Sequence, residues 1–381
     1  MLVIEPPVIH RLRALLDELE YDAVQRTLRP HYFVWPFPPL DTFKKLLLYL
    51  PERLRVTYEV LLLGQPVQRS RLEKLWGGDA VDDLLSLGLL VLRDRHEVQS
   101  DNYSIVSYLG RYFVVSVNPY YPTRRDPDAP VYIGPDSLTL AAALPASGRW
   151  QRCLDLCTGS GIQAIMLAAS AQQVAAVEIH ELAANAARFN AALNHVEDRV
   201  EVLQGSLYDP VPAGRYDLIV SNPPFLPVPV GVHHALSGHG GEDGLSILGP
   251  LLEGIPPRLS NGGEALIYAE GVGDGEGPFV RQRLQEMADV HHLDVHLLLV
   301  SRLTIKSTLI LKAASLVQLQ RPSSELAQWR DLYQRLGATH TYNYLLRLRR
   351  GEGVVVQFPA FDPHREERGI ELQPGTVLKP R

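Results

Sequence analysis

The 381-residue sequence predicts an α/β fold, a parallel sheet wound with helices, that follows a smaller and mostly helical N-terminal domain. Two observations predict this organisation. From Trp150 onward, short apolar runs alternate with helical patterns, as where the run Cys153–Leu156 precedes the helical segment Gln163–Ser170. Before residue 130, apolar residues recur mostly every three or four positions. The first pattern is typical of strands that alternate with helices, and the second is typical of amphipathic helices.

The N-terminal elements follow from this spacing. Helical spacing covers about the first 30 residues and continues in four further stretches, which are Asp41–Leu50, Arg53–Leu63, Arg69–Trp76 and Asp79–Leu87. After Gly88 the period changes to two, and apolar residues frame the polar turn Asp94–Glu97, which predicts a β-hairpin. Helices followed by a hairpin predict a winged-helix-like domain.

The charge of the helix before the hairpin argues against a DNA reader. That helix carries Asp79, Asp82 and Asp83 and no basic residue. In a DNA-binding winged helix it would enter the major groove, where three carboxylates would be repelled by phosphates. We therefore favour a structural or substrate-selecting role for this domain.

Two segments of the chain are rich in proline. Asn118–Pro130 carries four prolines and mixed charge, which predicts a linker between a domain at residues 1–130 and a second at 131–381 that includes a C-terminal extension. His31–Pro39 is too apolar for a solvated linker and is expected to pack against a neighbouring element. In the second domain we expect strands at Cys153–Leu156, Val174–Val177, Val200–Leu203, Leu218–Val220, Ala265–Tyr268, Val295–Val300, Ser307–Leu311 and Tyr344–Leu348, with further helices at Ala183–Leu193 and Ser324–Leu336.

Composition narrows the class of protein. The 37 Lys and Arg against 43 Asp and Glu give a net charge of −6, which argues against a surface that binds nucleic acid or anionic membrane throughout. No apolar stretch reaches the roughly 18 residues of a membrane span. Cys153 and Cys157 offer neither a disulfide framework nor a metal pair, and His291, His292 and His296 would not converge in a strand-like segment. We expect a cytosolic protein that holds no metal.

A glycine-rich turn follows the first strand of the second domain. The segment Asp155-Leu156-Cys157-Thr158-Gly159-Ser160-Gly161 leads into helical residues at Ile162. Glycines let the backbone approach a ligand closely, and the following helix presents free N–H groups. Glu178 closes the next strand, where a carboxylate can accept hydrogen bonds from ribose hydroxyls. This pattern predicts a nucleotide cofactor, and taken alone it fits either NAD or S-adenosylmethionine.

The fourth strand of this domain ends in the most specific signal, Asn222-Pro223-Pro224-Phe225. Two consecutive prolines fix the backbone just past the strand, so the Asn222 carboxamide and the Pro223 carbonyl can accept hydrogen bonds from one planar amino group. Phe225 would stack on the flat group that carries it. The third strand ends in Gly205-Ser206-Leu207-Tyr208-Asp209, which is suited to line an adenine edge. Together these features favour S-adenosylmethionine.

With these motifs the sequence resembles the class I S-adenosylmethionine-dependent methyltransferases, in the branch with an Asn-Pro-Pro-(Tyr/Phe) motif. That branch includes release-factor glutamine N5-methyltransferases, ribosomal RNA guanine N2-methyltransferases and DNA amino-methyltransferases. The resemblance covers about residues 131–311. It includes Tyr132-Ile133-Gly134-Pro135-Asp136-Ser137, similar to the family's lid over the cofactor, and Gly240-Gly241-Glu242-Asp243-Gly244-Leu245, similar to a loop of the glutamine methyltransferases.

The resemblance implies a Rossmann-like sheet, S-adenosylmethionine as cofactor, and roles for particular residues. Asp155, Gly159 and Gly161 would hold the methionine part, Glu178 the ribose, and Ser206 and Leu207 the adenine. Ser206 stands where many relatives carry an acid, so the Leu207 backbone or water would supply that contact. The implied cofactor-binding residues are Asp155, Thr158, Gly159, Gly161, Glu178, Ile179, Ser206, Leu207 and Asn222, and the implied catalytic residues are Asn222, Pro223 and Phe225.

The predicted activity is methylation of an amide or amino nitrogen of a small molecule or a protein. Two alternatives stay open: an RNA acceptor, which needs a basic groove near Asn222, and a biosynthetic enzyme that cyclises S-adenosylmethionine through its own amino group. Residues 1–130 do not match the helical substrate domain of glutamine methyltransferases, so the resemblance does not identify the acceptor. His233, His234 and His239 would either contact the substrate or belong to a mobile polar loop.

Overall fold

The computed structural model describes residues 1–28, 39–100, 102–116, 129–145, 148 and 150–359. Nearly all of the two proline-rich segments, His31–Pro39 and Asn118–Pro130, and the chain after residue 359 lie outside the described residues. No helix in the described part of the chain is long and apolar enough to cross a membrane.

The helices have the following bounds: α1 Pro6–Glu18, α2 Tyr21–Leu28, α3 Leu40–Leu47, α4 Glu52–Leu61, α5 Arg69–Trp76, α6 Gly78–Ser86, α7 Pro135–Ala143, α8 Ile162–Leu167, α9 Glu181–Leu193, α10 Leu248–Arg258, α11 Val280–His291, α12 Ile305–Gln318 and α13 Ser324–Arg335. The strands are β1 Val67–Gln68, β2 Leu90–Leu92, β3 Glu97–Ser100, β4 Ser104–Tyr108, β5 Arg111–Val115, β6 Trp150–Leu156, β7 Ala171–Glu178, β8 Val200–Gln204, β9 Tyr216–Ser221, β10 Leu259–Gly273, β11 Leu293–Thr304, β12 His340–Arg350 and β13 Val355–Phe358.

The described chain divides into two compact units, and the first comprises residues 1–142 and 158–210. Its strands β1, β3 and β2 form an antiparallel sheet in that order. The hairpin predicted after Gly88 is confirmed as β2 and β3, whereas the hairpin of β4 and β5 is one that the sequence analysis did not predict. Strands β7 and β8 pair in parallel, as their alternation with helix α9 predicts.

Helix α9 holds the backbone of strand β5 through two asparagines. The Asn190 Oδ1 accepts a hydrogen bond from the Val114 N–H (2.7 Å), and its Nδ2 donates to the Val114 carbonyl (3.1 Å). Asn194 makes the same pair of hydrogen bonds with Tyr112, at 3.0 and 2.7 Å. Four helix residues rise about 6 Å and two strand residues about 6.6 Å, so the spacings match. Each carboxamide therefore makes the two backbone hydrogen bonds that one residue of a neighbouring strand would otherwise make.

A third asparagine of α9, Asn185, holds the backbone N–H and carbonyl of Leu2 in the same way, at 3.0 and 3.1 Å. We call Asn185, Asn190 and Asn194 the asparagine stripe. All three side chains are buried, and buried carboxamides are stable only when their donors and acceptors are satisfied. The stripe thus fixes two segments of the N-terminal residues to the helix that follows β7.

The second unit comprises residues 143–157 and 211–381. Its strands lie in the order β13-β11-β12-β10-β9-β6. Strands β6, β9 and β10 are parallel neighbours, as the sequence predicts, but β12 runs antiparallel between β10 and β11. Strand β12 is thus an exception to the parallel sheet that the alternation of strands and helices predicts, since it is antiparallel to both of its neighbours.

One predicted strand of the second unit is a helix. Residues Ser307–Leu311 lie inside α12, not in a strand. The Thr304 side chain accepts a hydrogen bond from the Ser307 N–H (3.2 Å) and so caps the N-terminus of this helix. The apolar run predicts a strand, but a short apolar run does not distinguish a strand from a helix. The other strands and helices predicted in both units are present, with bounds that differ by a few residues.

Candidate active site

The glycine turn after β6 is fixed by backbone hydrogen bonds within the first unit. The Thr158 N–H donates to the Val177 carbonyl of β7, and the Gly161 N–H donates to the Thr158 carbonyl, both at 2.9 Å. Gly159 and Gly161 have left-handed φ values of +55° and +81°. A Cβ at Gly161 would lie 3.3 Å from the Cβ of Ala187, whereas a Cβ at Gly159 would have nothing within 4 Å. Gly161 therefore permits close packing on α9, and Gly159 leaves open space above the turn.

Glu178 links the end of β7 to this turn. Its side chain is buried, and one carboxylate oxygen accepts a hydrogen bond from the Gly159 N–H while the other accepts from the His180 N–H, both at 2.9 Å. Each carboxylate oxygen has two acceptor positions, so both oxygens retain one for a further donor. The carboxylate thus fits the ribose hydroxyls of an adenosine cofactor.

A backbone hydrogen bond connects the ends of β7 and β8. The Gly205 N–H donates to the Glu178 carbonyl (3.0 Å), and the Asp209 N–H donates to the Ser206 carbonyl in a tight turn (2.9 Å). Ser206 and Ile179 are exposed at this edge. The first unit therefore brings together Thr158, Gly159, Gly161, Glu178, Ile179, Ser206 and Leu207, seven of the nine predicted cofactor-binding residues.

The remaining predicted residues lie at the ends of β6 and β9 in the second unit. The two strands pair with Asp155 beside Val220 and Leu156 beside Ser221. The Ser221 hydroxyl donates to the Leu156 carbonyl (2.7 Å), which fixes the strand end directly before Asn222. Asp155 is completely buried. Asn222 therefore leaves its strand one position past the level of Leu156.

Phe225 is held by the loop that follows it. The Phe225 ring lies 5.8 Å from the Tyr268 ring of β10. A Cβ at Gly240 would lie 2.7 Å from the Phe225 carbonyl carbon, and one at Gly244 would lie 2.5 Å from its oxygen. Only glycine fits at these two positions, which explains the Gly-rich sequence of residues 240–244. This loop positions the proposed stacking surface of the acceptor.

Two of the loop histidines anchor the loop. The His234 ring meets the Trp329 ring edge to face at 6.5 Å, and burial lowers the pKa of His234, so its imidazole is neutral at pH 7. His239 accepts a hydrogen bond from the Gly241 N–H (3.2 Å). The His233 side chain is exposed. These contacts indicate that His234 and His239 stabilise the loop.

Sequence analysis did not single out three further residues near this loop: Lys312 on α12, and Trp329 and Tyr333 on α13, of which Trp329 contacts His234. The Lys312 ammonium lies 3.6 Å from the centroid of the Trp329 ring. One signal for this group was present in the sequence, because Lys312 stands between the apolar runs Leu309-Ile310-Leu311 and Ala313-Ala314.

Parts of the chain are similar in sequence to known methyltransferases. Residues 133–236 match the family model of the methyltransferase small domain. A ribosomal protein uL3 glutamine methyltransferase from Bordetella pertussis is 38% identical over 123 residues, which cover 30% of this chain and 41% of that protein. A tRNA1(Val) (adenine(37)-N6)-methyltransferase from Porphyromonas gingivalis is 41% identical over 104 residues, 25% of this chain and 41% of that protein.

A release factor glutamine methyltransferase from Synechocystis is 33% identical over 168 residues, 41% of this chain and 55% of that protein. Among solved structures, a ribosomal protein L11 methylase from Lactobacillus delbrueckii subsp. bulgaricus aligns with 57% of this chain and 77% of that chain, at 17% identity and a TM-score of 0.33. The chain spans about two fifths of the length of the first two relatives.

The matched range contains both the glycine turn and Asn222-Pro223-Pro224-Phe225. Residues 133–236 are therefore similar to a methyltransferase small domain, and the predicted resemblance to class I S-adenosylmethionine-dependent methyltransferases with an Asn-Pro-Pro-Phe motif is confirmed. S-adenosylmethionine is the cofactor of that class. The roles of the individual site residues stay predictions.

Proposed function

We propose that this chain is an S-adenosylmethionine-dependent N-methyltransferase that acts on an amide or amino nitrogen of a small molecule or a protein. The observation that carries the proposal is Asn222-Pro223-Pro224-Phe225 directly after β9, next to a strand end that the Ser221 hydroxyl fixes on Leu156. The names of three relatives add support, since two name glutamine and one names adenine N6. In each case the nitrogen is an NH₂ group on a planar carbon.

The residues of this chain would act mainly by positioning. The bound cofactor would supply an electrophilic methyl group. The Asn222 carboxamide oxygen and the Pro223 carbonyl would each accept one N–H of the acceptor, so that its nitrogen lone pair is aimed at the methyl carbon. These hydrogen bonds strengthen as positive charge develops on the nitrogen, and Phe225 would hold the planar group from one side. Glu178 would fix the ribose.

We further propose that residues 1–130 form a winged-helix-like domain that selects the acceptor. Its support is the element order α4-β1-α5-α6-β2-β3 with a sheet ordered β1-β3-β2. The carboxylates of α6 are engaged within the same unit, because Asp82 pairs with Arg69 and Asp83 with Arg11, both at 2.7 Å. They remain a poor surface for phosphates, which agrees with selection of a protein or small-molecule acceptor.

An RNA acceptor is the second candidate, and the tRNA1(Val) methyltransferase relatives favour it. If the acceptor is RNA, the RNA isolated from a cell extract should accept the methyl group. If it is a small molecule or a protein, the isolated small molecules or proteins should accept it. Cyclisation of S-adenosylmethionine differs from both, because it needs no acceptor.

One experiment tests these assignments together. The full chain is incubated with S-adenosylmethionine alone, and then with separated small-molecule, protein and RNA fractions of a cell extract. We expect S-adenosylhomocysteine only when the small-molecule or protein fraction is present, and we expect it to form at least roughly a hundredfold more slowly with the Asn222→Ala variant. Methylthioadenosine without an acceptor, or turnover confined to the RNA fraction, would contradict the proposal.

A further inference from the structure

Gln163 is a buried polar residue in a helix that is otherwise apolar. Helix α8 begins directly after Gly161, the last residue of the glycine turn, and its five other residues are all apolar. The Gln163 side chain is 2% exposed. A carboxamide at a buried position needs hydrogen-bond partners for its N–H groups and its oxygen, so its contacts indicate its role.

The Gln163 carboxamide is satisfied at one end. Its Nε2 donates a hydrogen bond to the Ser137 carbonyl of α7 (2.9 Å), whereas its Oε1 has no hydrogen-bond partner in the described structure. An unsatisfied buried acceptor costs at least as much free energy as one hydrogen bond contributes. An apolar side chain of similar size would therefore fit this position with no loss of fold stability. The glutamine is thus explained by the position that it gives to α7 and not by its packing.

The hydrogen bond to Ser137 places the start of α7 beside the start of α8. Ser137 is the third residue of α7, and Gln163 is the second residue of α8. The chain turns tightly where α7 begins, because the Leu138 N–H donates to the Gly134 carbonyl (3.0 Å) and the Gly134 N–H donates to the Ser137 hydroxyl oxygen (3.4 Å). The first turn of α7 therefore contacts α8 two residues past the glycine turn.

The residues that precede α7 are fixed at their other end as well. The Val131 N–H donates to the Ser116 hydroxyl oxygen (2.8 Å), and the Ser116 N–H donates to the Val131 carbonyl (3.0 Å), directly after β5. Strand β5 is itself held by Asn190, which also donates to the Ser160 carbonyl of the glycine turn. The 131–137 segment therefore runs from the end of β5 to α8, and hydrogen bonds attach both of its ends to elements that adjoin the glycine turn.

We propose that Gln163 is a positioning residue, which holds the 131–137 segment against the glycine turn so that the segment closes one side of the S-adenosylmethionine site. The inference rests on the proposed function, which predicts that the cofactor binds at Gly159 and Glu178. Its support is the pair of attachments at Ser137 and Val131, together with the open space above Gly159. The sequence predicts that residues 132–137 cover the cofactor, and Gln163 is the residue that would fix them there.

Cofactor dissociation from the full chain tests this role. The chain is loaded with tritiated S-adenosylmethionine and chased with unlabelled S-adenosylhomocysteine, and the loss of bound label is followed in time. Gln163→Met removes the hydrogen bond and keeps the length of the side chain, so we expect dissociation to be faster by roughly threefold to tenfold. Gln173→Met, at an exposed glutamine of β7, is the matched control and should leave the rate unchanged.

The melting temperature separates a positioning role from a structural one. Gln163→Met also removes the unsatisfied acceptor, so the melting temperature of the cofactor-free chain should stay within about 3 °C of the wild-type value. A fixed concentration of S-adenosylhomocysteine should raise it less in the variant, because the affinity is lower. An equal rise in both chains, or a large loss in the cofactor-free variant, would show that Gln163 serves only the fold.

A second variant tests whether the N–H donor of Gln163 is the group that matters. In Gln163→Glu an ionised carboxylate would be repelled by the Ser137 carbonyl, whereas the protonated carboxyl group donates a hydrogen bond to it. A buried carboxyl group is protonated more readily than an exposed one, so the dissociation rate of this variant should approach the wild-type rate as the pH falls from about 8 to about 5.

The rate is taken relative to the wild type at each pH, which removes the titration of groups that both chains share, such as Asp136 in the first turn of α7. The relative rate of Gln163→Met should not change with pH. A relative rate of Gln163→Glu that is the same at both pH values would contradict the donor role.

Failure of this inference is distinct from failure of the proposed function. If the wild-type chain does not bind S-adenosylhomocysteine, the proposed function fails. If it binds, and the cofactor dissociates from Gln163→Met at the wild-type rate, the inference alone fails.

Discussion

At the scale of single residues, Glu178 has a structural role beside its predicted role as a ribose ligand, and the sequence does not show the structural one. The sequence predicts a ribose ligand at the end of the second strand of the methyltransferase-like domain. In the structure its carboxylate also accepts the Gly159 and His180 N–H groups and so fixes the glycine turn. A substitution there therefore affects the shape of the turn as well as the predicted ligand contact.

For Glu178→Ala we expect cofactor affinity to fall by roughly tenfold to a hundredfold, since hydrogen bonds to a charged group are lost. Glu178→Gln keeps an acceptor and should lose less. Calorimetric titration with S-adenosylhomocysteine measures both. Glu181→Ala removes an exposed carboxylate three residues later and serves as the control. Unchanged affinity in Glu178→Ala would remove the residue from the cofactor site.

Asn222→Ala should have the opposite effect. Loss of the carboxamide removes an acceptor that acts on developing charge, so we expect turnover to fall by roughly a hundredfold to a thousandfold. Cofactor affinity should stay within about threefold. Steady-state kinetics with the identified acceptor and calorimetry measure the two effects, and Asn261→Ala, at an exposed asparagine, is the control. Normal turnover in Asn222→Ala would refute the assigned role.

Local motifs explain why these residues are predictable. The predicted site residues all lie within a few positions of a strand end: the glycine turn, Glu178 and Asn222-Pro223-Pro224-Phe225. A short stretch of sequence therefore shows both the functional groups and their place in the fold. Lys312 and Trp329 lie on two separate helices, and only the packing of α12 against α13 brings the Lys312 ammonium over the Trp329 ring. No short stretch of sequence contains that information.

At the scale of elements, side chains that satisfy backbone groups join neighbouring segments. Asn190 also donates to the Ser160 carbonyl of the glycine turn (2.9 Å), so one carboxamide contacts both β5 and the turn. Asp217 of β9 has a comparable role in the second unit. Its carboxylate accepts hydrogen bonds from the Gln151 and Arg152 N–H groups and from the Ser260 hydroxyl, at 2.8, 3.2 and 2.8 Å.

Asn190→Ala would leave the Val114 N–H, the Val114 carbonyl and the Ser160 carbonyl without this partner in a buried place. We expect the free energy of unfolding to fall by about 2–4 kcal/mol, since each buried unsatisfied group costs about 1–3 kcal/mol and local relaxation recovers part of the loss. Urea denaturation measures the change. Gln172→Ala, at an exposed position, is the control. A loss below about 0.5 kcal/mol would show that the asparagine does not hold β5.

Asp217 predicts a pH-dependent stability. Burial acts to raise the pKa of Asp217, but hydrogen bonds from Ser260, Arg152 and Gln151 outweigh it and hold the pKa below its ordinary value. The stabilisation is therefore present above about pH 4 and is lost as pH falls through the lowered pKa of the folded state. Asp217→Asn should cost about 1 kcal/mol at pH 7, a value reduced by solvent screening, and less at pH 3. Urea unfolding at both pH values measures this, and an equal loss at both would contradict it.

The element scale also shows where sequence patterns mislead. The run at Ser307–Leu311 has the composition of a buried strand, but the Thr304 cap starts a helix there. The hairpin of β4 and β5 lacks a strong turn signal, because its turn residues Leu109 and Gly110 include an apolar residue with φ of +49°. Such turns depend on packing that a local pattern does not record.

At the scale of the whole molecule, the net charge of −6 bears on the acceptor. At 0.15 M salt we expect labelled tRNA to bind no more tightly than the nonspecific range of about 10⁻⁴–10⁻⁶ M. Fluorescence anisotropy over a salt series measures the affinity. Nanomolar binding with a steep salt dependence would instead identify an RNA-binding surface and favour the RNA candidate.

The alternation of strands and helices predicted much of the second domain, because parallel strands in such folds are buried on both faces and appear as apolar runs. Leu218, Ile219 and Val220 are all completely buried, as that pattern predicts. The antiparallel placement of β12 was not predictable, since an apolar strand carries no mark of its direction. Division of the chain at residue 130 stays a prediction.

The asparagine stripe has a consequence for how the N-terminal residues are able to change over evolution. On strand β5, the hydrogen bonds of Asn190 and Asn194 go to the backbone N–H and carbonyl groups of Val114 and Tyr112. Every non-proline residue carries those groups, so these hydrogen bonds require an extended backbone and not a particular sequence. A different N-terminal segment that presents two alternate extended residues would make the same hydrogen bonds. The N-terminal residues are therefore open to replacement while the helix beside the glycine turn stays unchanged.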